Sequence, residues 1–182
     1  MTNTATAIEI PTGAWKSDPI HSEVGFAIRH IAGTFRGRFD DFDVELNVDG
    51  PEPHLSGAVR VESVQVRDES LHGHLLSPDF FDAERHPELR FESSALRVEG
   101  DDGVVVEGEL TLKGTTKPVE ARGAIAEPLT GPDDNERIGL DLETTVDRTE
   151  RGLDWNTALP QGGMLLGDTV TITVHLELVK QD

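Results

Sequence analysis

Alternation governs this chain. Across residues 20–31, Val24, Phe26, Ile28 and His30 fall on one face of an extended segment, and Glu23, Gly25, Ala27 and Arg29 fall on the other. Such period-two spacing predicts a half-buried β-strand. Residues 34–48 continue it with Phe35 and Phe39 in step, then Phe42, Val44, Leu46 and Val48 in the opposite parity. The change of parity across Asp40-Asp41 predicts a β-bulge that bends a long strand. Further alternating stretches occupy residues 55–66, 88–98, 104–112, 117–126, 138–146 and 170–178. Asp49-Gly50-Pro51, Gly100-Asp101-Asp102-Gly103 and Gly114-Thr115-Thr116 punctuate them as turns. A glycine-rich loop containing Trp155 spans residues 149–168, long enough to serve as a lid or binding segment. The fold class is all-β: about eight strands in an antiparallel meander, the number that closes a small barrel.

One stretch departs from the pattern. Residues 77–91, S-P-D-F-F-D-A-E-R-H-P-E-L-R-F, read as a short helical insertion between strands and hold three of the seven phenylalanines, Phe80, Phe81 and Phe91. Ser77 has the chemistry of an N-cap, and Pro78 suits the first helical position. Leu76 and Phe81 have the spacing of a hydrophobic staple, and Pro87 predicts a stop near Arg85. About two turns of helix do not hold themselves together in water, so Phe80 and Phe81 must pack on the barrel. From the pattern, that helix either plugs a barrel end or sits at the mouth of a cavity.

The barrel itself is open to the same two readings. Gly25, Ala27, Gly57, Ala58, Gly108, Ala121, Gly123 and Ala124 lack bulk, as a hollow interior lined by Val, Ile and Leu would require. An ordinary barrel filled by small residues would look the same.

Composition excludes several functions. The 182 residues suit one domain, taken here as 14–182 behind a flexible tail over residues 1–13. Thirty-five acidic residues against sixteen basic ones give a formal charge of −19, which opposes nucleic acid and flat docking on an anionic membrane. The absence of cysteine rules out disulfides, a thiol nucleophile and thiolate metal sites. No basic-then-apolar leader opens the sequence, and no apolar run approaches the ~20 residues of a membrane helix, so a cytoplasmic location is expected.

Seven histidines raise the question of a metal, but His21, His30 and His86 lack zinc-ligand spacing, and His72 and His74 sit in the insertion. No metal site is assigned. Asp18, His21 and Ser22 are too close in sequence to form a catalytic relay on one strand. No nucleophile elbow, phosphate loop or dinucleotide fingerprint occurs. No catalytic residue is assigned, and the chain is not expected to be an enzyme. His30 is the polar group of interest: sharing a face with Val24, Phe26 and Ile28, it is either a satisfied core histidine or a group that orients a ligand's head.

Taken together, several segments resemble the YceI-like, or polyisoprenoid-binding, family. They are D-P-I-H-S-E-V-G-F-A-I-R-H at 18–30, G-T-F-R-G-R-F at 33–39, H-L-L-S-P-D-F-F-D at 74–82 and H-P-E-L-R-F at 86–91. G-E-L-T-L-K-G-T-T-K-P-V at 108–119, D-R-T-E-R-G-L-D-W-N at 147–156 and G-D-T-V-T-I-T-V at 167–174 follow in order. The resemblance implies a lipocalin-like barrel around a hydrophobic tunnel that takes a long-chain isoprenoid, an isoprenoid quinone or a fatty-acid derivative. It implies no enzymatic activity and no cofactor beyond a bound, polyisoprenoid-like lipid. By position it implies tunnel walls from Val24, Phe26, Ile28, His30, Phe35, Phe39 and Phe91. Leu75, Phe80 and Phe81 would come from the insertion, with Trp155 near an opening. It is also consistent with a homodimer, paired through an edge strand. Relatives commonly carry Arg-Asp where this chain has Leu71 and His72, which points to a different preference for the ligand's head.

Overall fold

The alternating segments become one antiparallel sheet that closes on itself. The computed structural model describes residues 7–182. Its strands are β1 (Gly13–Ser17), β2 (Glu23–His30), β3 (Gly33–Phe39), β4 (Phe42–Val48), β5 (His54–Arg60), β6 (Val64–Gln65), β7 (Glu88–Glu99), β8 (Gly103–Leu112), β9 (Thr115–Thr130), β10 (Glu136–Asp147) and β11 (Leu166–Lys180). The α-helix α1 (Glu69–Leu76) lies between β6 and β7.

These eleven strands form the eight staves of a closed antiparallel barrel. β1 and β2 lie end to end along one edge of β11: Trp15 faces Lys180 and Ser17 faces Leu178, whereas Glu23 faces His175 and His30 faces Leu166. β3 and β4 lie end to end beside them, β3 on β2 and β4 on β1. The break between β3 and β4 falls at Asp40-Asp41, where the change of parity placed a bend. β1 closes the ring by pairing with both β4 and β11.

The single strand expected over residues 55–66 is interrupted. β5 ends at Arg60, a 3-10 turn spans Val61–Ser63, and β6 meets β3 only at Arg38 and Phe39. Residues 33–37 of β3 therefore have no strand on their outer side among the described residues.

The helix is displaced from its expected place. It runs over Glu69–Leu76, capped by Asp68, whose side chain accepts from the Leu71 N–H at 2.9 Å. Ser77 ends this helix instead of starting one: its backbone is extended, and its hydroxyl donates to the His74 carbonyl at 2.6 Å. Residues 77–86 fold back over the helix end. The N–H groups of Phe81 and Ala83 donate to the carbonyls of Leu75 and Leu76, each at 2.9 Å. Those bonds satisfy carbonyls that a helix terminus otherwise leaves open, and they use the donors a second helix would have needed. Phe80 and Phe81 are buried all the same.

The tail expectation covers residues 1–13, of which 1–6 lie outside the described residues. Beyond them the chain is held down. Ile8 donates to the Asp101 carbonyl at 3.1 Å, Ile8 and Ile10 pack against the core, and Gly13 begins β1.

The end of the barrel around β1 is solid. Trp15, Leu46, Val106, Ile138, Leu140 and Leu178 are at most 1 % exposed. The Trp15 indole N–H donates to the Pro11 carbonyl at 3.2 Å. Gly123 of β9 sits where the backbone of β10 crowds closest, because a Cβ there would collide with the Asp141 carbonyl. A Gly123→Ala protein should lose about 1–3 kcal/mol of stability, since backbone cannot step aside as a side chain can. Urea denaturation should show a lower midpoint with an unchanged slope. An unchanged midpoint would contradict that packing.

Candidate functional site

Moving away from Trp15, the same inward parity that fills the closed end ceases to fill the barrel. A cavity of about 600 Å³ occupies the other half. Its floor is made by Val24, Val44, Leu55, Ala121, Leu142 and Leu176, and its upper walls include Ile172 and Val170 of β11 and Leu110 and Leu112 of β8. All eleven residues singled out in the sequence border it: Val24, Phe26, Ile28, His30, Phe35, Phe39, Leu75, Phe80, Phe81, Phe91 and Trp155.

The aromatic rings form two groups. Phe26, Phe35, Phe39 and Phe81 cluster on the β2–β3 wall, with ring centres 5.7–6.4 Å apart. His74, Phe80 and Trp155 form the second, with centres 4.7–5.5 Å apart. The second group joins α1 and its following turns to the loop after β10. Lys113, in the β8–β9 turn, ties the same two segments by donating to the carbonyls of Pro78 at 2.6 Å and Gly152 at 3.0 Å. Together they roof the gap left beside β3.

Two glycines keep the cavity hollow. Phe26 lies across its cross-strand partner Gly37, where a Cβ would stand 2.5 Å from the Phe26 Cζ. Phe91 pairs with Leu110 but reaches diagonally over Gly108, where a Cβ would stand 2.6 Å from the ring and would also collide with the Glu92 carbonyl. A ring laid flat on a glycine lines the wall without projecting into the lumen.

Polar groups at the cavity are few. His30 shares the inward parity of Phe26 and Ile28 but stands at the end of β2 and is exposed, so it is a rim residue and neither a core histidine nor a group deep in a tunnel. His74 bonds the Asp79 carboxylate at 3.1 Å. Leu71, one of the two positions that depart from the family pattern, borders the cavity; His72 instead meets the Glu62 carbonyl at 3.3 Å.

Sequence reasoning missed two buried arginines. Arg148 continues the inward parity of Leu142, Thr144 and Val146 and is 3 % exposed. It donates to the carbonyls of Gly167 at 2.8 Å, Trp155 at 2.9 Å and Leu153, stitching both ends of the loop to the barrel. Among the described residues its Nη2 has no hydrogen-bond partner, and the Asp168 carboxylate is 3.9 Å away. Arg151 fills the gap where β9 and β10 part beyond Arg122 and Glu143, donating to the Leu110 carbonyl at 2.7 Å. Burial pushes its guanidinium below the usual value. The signal was parity: Arg148 is the next inward position after Val146.

A cluster away from the cavity was also not anticipated. In the break between β1 and β2, ligand atoms of Asp18, His21 and Glu177 lie within 4.8 Å of one another. His21 bonds Asp18 at 2.8 Å, which raises the histidine and lowers the carboxylate, and Glu177 already pairs with Arg137 at 3.0 Å. These groups satisfy each other.

Comparison with known proteins agrees with this geometry. The family model described as the YceI-like domain matches residues 15–178. A UPF0312 protein of Pseudomonas putida (strain W619) is 30% identical over 165 residues, covering 88% of this chain and 82% of that protein. A UPF0312 protein of Staphylococcus epidermidis is 29% identical, covering 88% and 94%. Among solved structures, Burkholderia cenocepacia BcnA superposes with a TM-score of 0.75 at 22% identity, covering 91% of this chain and 99% of that one. A polyisoprenoid binding domain from Saccharophagus degradans gives 0.72 at 14% identity, covering 94% and 100%. No helix among the described residues is long and apolar enough to cross a membrane.

Proposed function

This chain belongs to the YceI-like family, and from that premise we propose that it binds a long-chain isoprenoid or a related amphiphilic lipid, acting as a carrier or reservoir. The observation that carries this reading is the half-hollow barrel, a cavity of about 600 Å³ with an almost wholly apolar lining. At ~30 Å³ per liquid-like heavy atom, as for water, that volume holds on the order of 20 non-hydrogen atoms or more, or about four five-carbon units. Burying them at ~0.8 kcal/mol per methylene gives a gross gain near the practical ceiling on affinity. A bilayer offers the same tail an equally apolar home, so the net gain on extraction is small and loading is reversible. The description of the Saccharophagus degradans neighbour as polyisoprenoid binding supports this ligand class.

Binding accounts for the site better than catalysis does. His74 is engaged by Asp79, Arg148 by backbone carbonyls, and the His30 ring at the rim has no hydrogen-bond or ion-pair partner among the described residues. No cofactor or metal is required by this reading. The test is solvent extraction and mass spectrometry of protein purified from its native host. An apolar, oxygen-bearing long-chain compound in stoichiometric amount is expected. Repeated recovery of protein with no such compound, and no uptake of an added prenol, would overturn the proposal.

A further inference from the structure

The formal charge of −19 is not evenly spread. Residues 24–39 contain no acidic residue and carry Arg29, Arg36 and Arg38 besides His30. This segment is the β2–β3 hairpin at the rim of the cavity. Because Phe26, Ile28 and Phe35 face inward, the alternate residues Arg29, Arg36 and Arg38 stand on the outer face. Arg38 has Asp40 at 3.6 Å, and Arg29 donates to the Ile31 carbonyl at 3.1 Å. Neither Arg29 nor Arg36 has an ion-pair partner among the described residues.

The tip of this hairpin is built against turn chemistry. His30 pairs with Gly33, so only Ile31 and Ala32 form the turn. A two-residue hairpin turn with positive φ at its first position alone favours glycine there, and asparagine tolerates that φ better than a β-branched residue. Here a β-branched isoleucine takes that position, with φ 50°, a conformation that costs such a residue free energy. Its side chain gains nothing from burial, being 48 % exposed. Beside it Ile31 N–H donates to the Leu165 carbonyl at 2.8 Å, and the preceding Met164 is 44 % exposed. An apolar tip, flanked by arginines free of carboxylates, thus stands at the cavity mouth of a strongly acidic protein.

We propose that Ile31, Ala32 and Met164 insert into an anionic lipid bilayer while Arg29 and Arg36 contact its headgroups, seating the mouth of the barrel on the membrane. The inference rests on the lipid-binding reading above and says where loading takes place. Charge complementarity selects the bilayer: the rest of the surface is repelled by it, and this hairpin is attracted. Asp68 and Glu69 at the start of α1 keep that side of the mouth away, so contact is through the hairpin with the barrel tilted; Asp168, next to the Gly167 on which Arg29 packs, has the Arg148 guanidinium at 3.9 Å.

The test uses flotation with vesicles of neutral phosphatidylcholine and with vesicles containing about one-third phosphatidylglycerol. A soluble fluorescent fatty-acid analogue, added without vesicles, reports on the cavity. Wild-type protein should float with the anionic vesicles at least tenfold more than with the neutral ones and be released by salt. Arg29→Glu/Arg36→Glu should lose that binding tenfold or more, and Ile31→Asn, whose asparagine tolerates the positive φ better, should also lose it. Both should take up the fluorescent probe as wild type does, because none of these side chains borders the cavity. Equal flotation on both vesicle types, or variants that float like wild type, would overturn the proposal. So would a wild-type dimer that Ile31→Asn dissociates, which would assign the tip to a second copy of the chain. If hairpin-dependent flotation occurs without uptake of the probe or of a prenol, docking stands and the carrier reading fails.

Discussion

A Gly37→Leu protein should fold and yet bind its lipid about 100-fold more weakly. Gly37 is the floor on which the Phe26 ring lies, and a Cβ there would meet the ring's far edge at 2.5 Å. That edge is the free end of a side chain, so it can swing away, and the only open direction is the lumen. Phe26 already stands 5.7–6.4 Å from Phe35, Phe39 and Phe81, which block the way along the wall. Four added carbons displace about as many ligand methylenes, worth ~3 kcal/mol at ~0.8 kcal/mol each, or about 100-fold in affinity. Stability should change by less than about 1.5 kcal/mol, as leucine replaces a glycine that lacked strand propensity. Titration with a fluorescent lipid analogue and urea denaturation check the two halves. Unchanged affinity in a folded Gly37→Leu protein would show that the ligand does not occupy the lumen beside β2 and β3.

The largest loss of stability is expected from Arg148→Ala, about 3–5 kcal/mol. The substitution removes the donors held by the carbonyls of Leu153, Trp155 and Gly167 in a buried place. A buried carbonyl left without a donor costs about 1–3 kcal/mol, and three in one cluster do not add fully. At about 2–4 °C per kcal/mol for a chain of this size, Tm should fall by about 10 °C or more. Arg148→Lys should recover little, since one ammonium cannot span carbonyls at both ends of the loop. Hydrogen exchange should accelerate first in residues 152–165. A Tm within 2–3 °C of wild type, which corresponds to ~1 kcal/mol, would mean that the loop is held by other contacts.

How far the sequence could be read follows from the range of each interaction. Inward and outward positions of β2, β3 and β4 were legible because a strand writes its environment every second residue, and the bend at Asp40-Asp41 was legible as a parity change. The helix was misplaced for two local reasons. Gly73 weakens the helical signal of Glu69–Leu76, and Ser77-Pro78 looks like a helix start although its donors are used to close the helix before it. Phe80 and Phe81 were nevertheless identified as buried, because hydrophobicity does not depend on which turn carries it. Filled and hollow barrels could not be told apart from composition. The difference lies in how bulky the inward positions of facing staves are: Trp15, Leu140 and Leu178 fill one end, whereas Gly37 lies under Phe26 and Gly108 under Phe91 at the other. Arg148 went unnoticed because a charged residue in an inward register is read first as the end of the strand.

The pairing of β1 with β11 also sets the order of assembly. Trp15 cannot find Lys180 until nearly every other stave exists, so ring closure is the contact with the longest loop and comes late in folding. Until then β11 and the stave made by β1 and β2 each carry a bare strand edge, the arrangement through which partly folded chains stick to one another. The acidic surface that keeps the finished barrel off most of a membrane also makes these unfinished barrels repel each other during that interval.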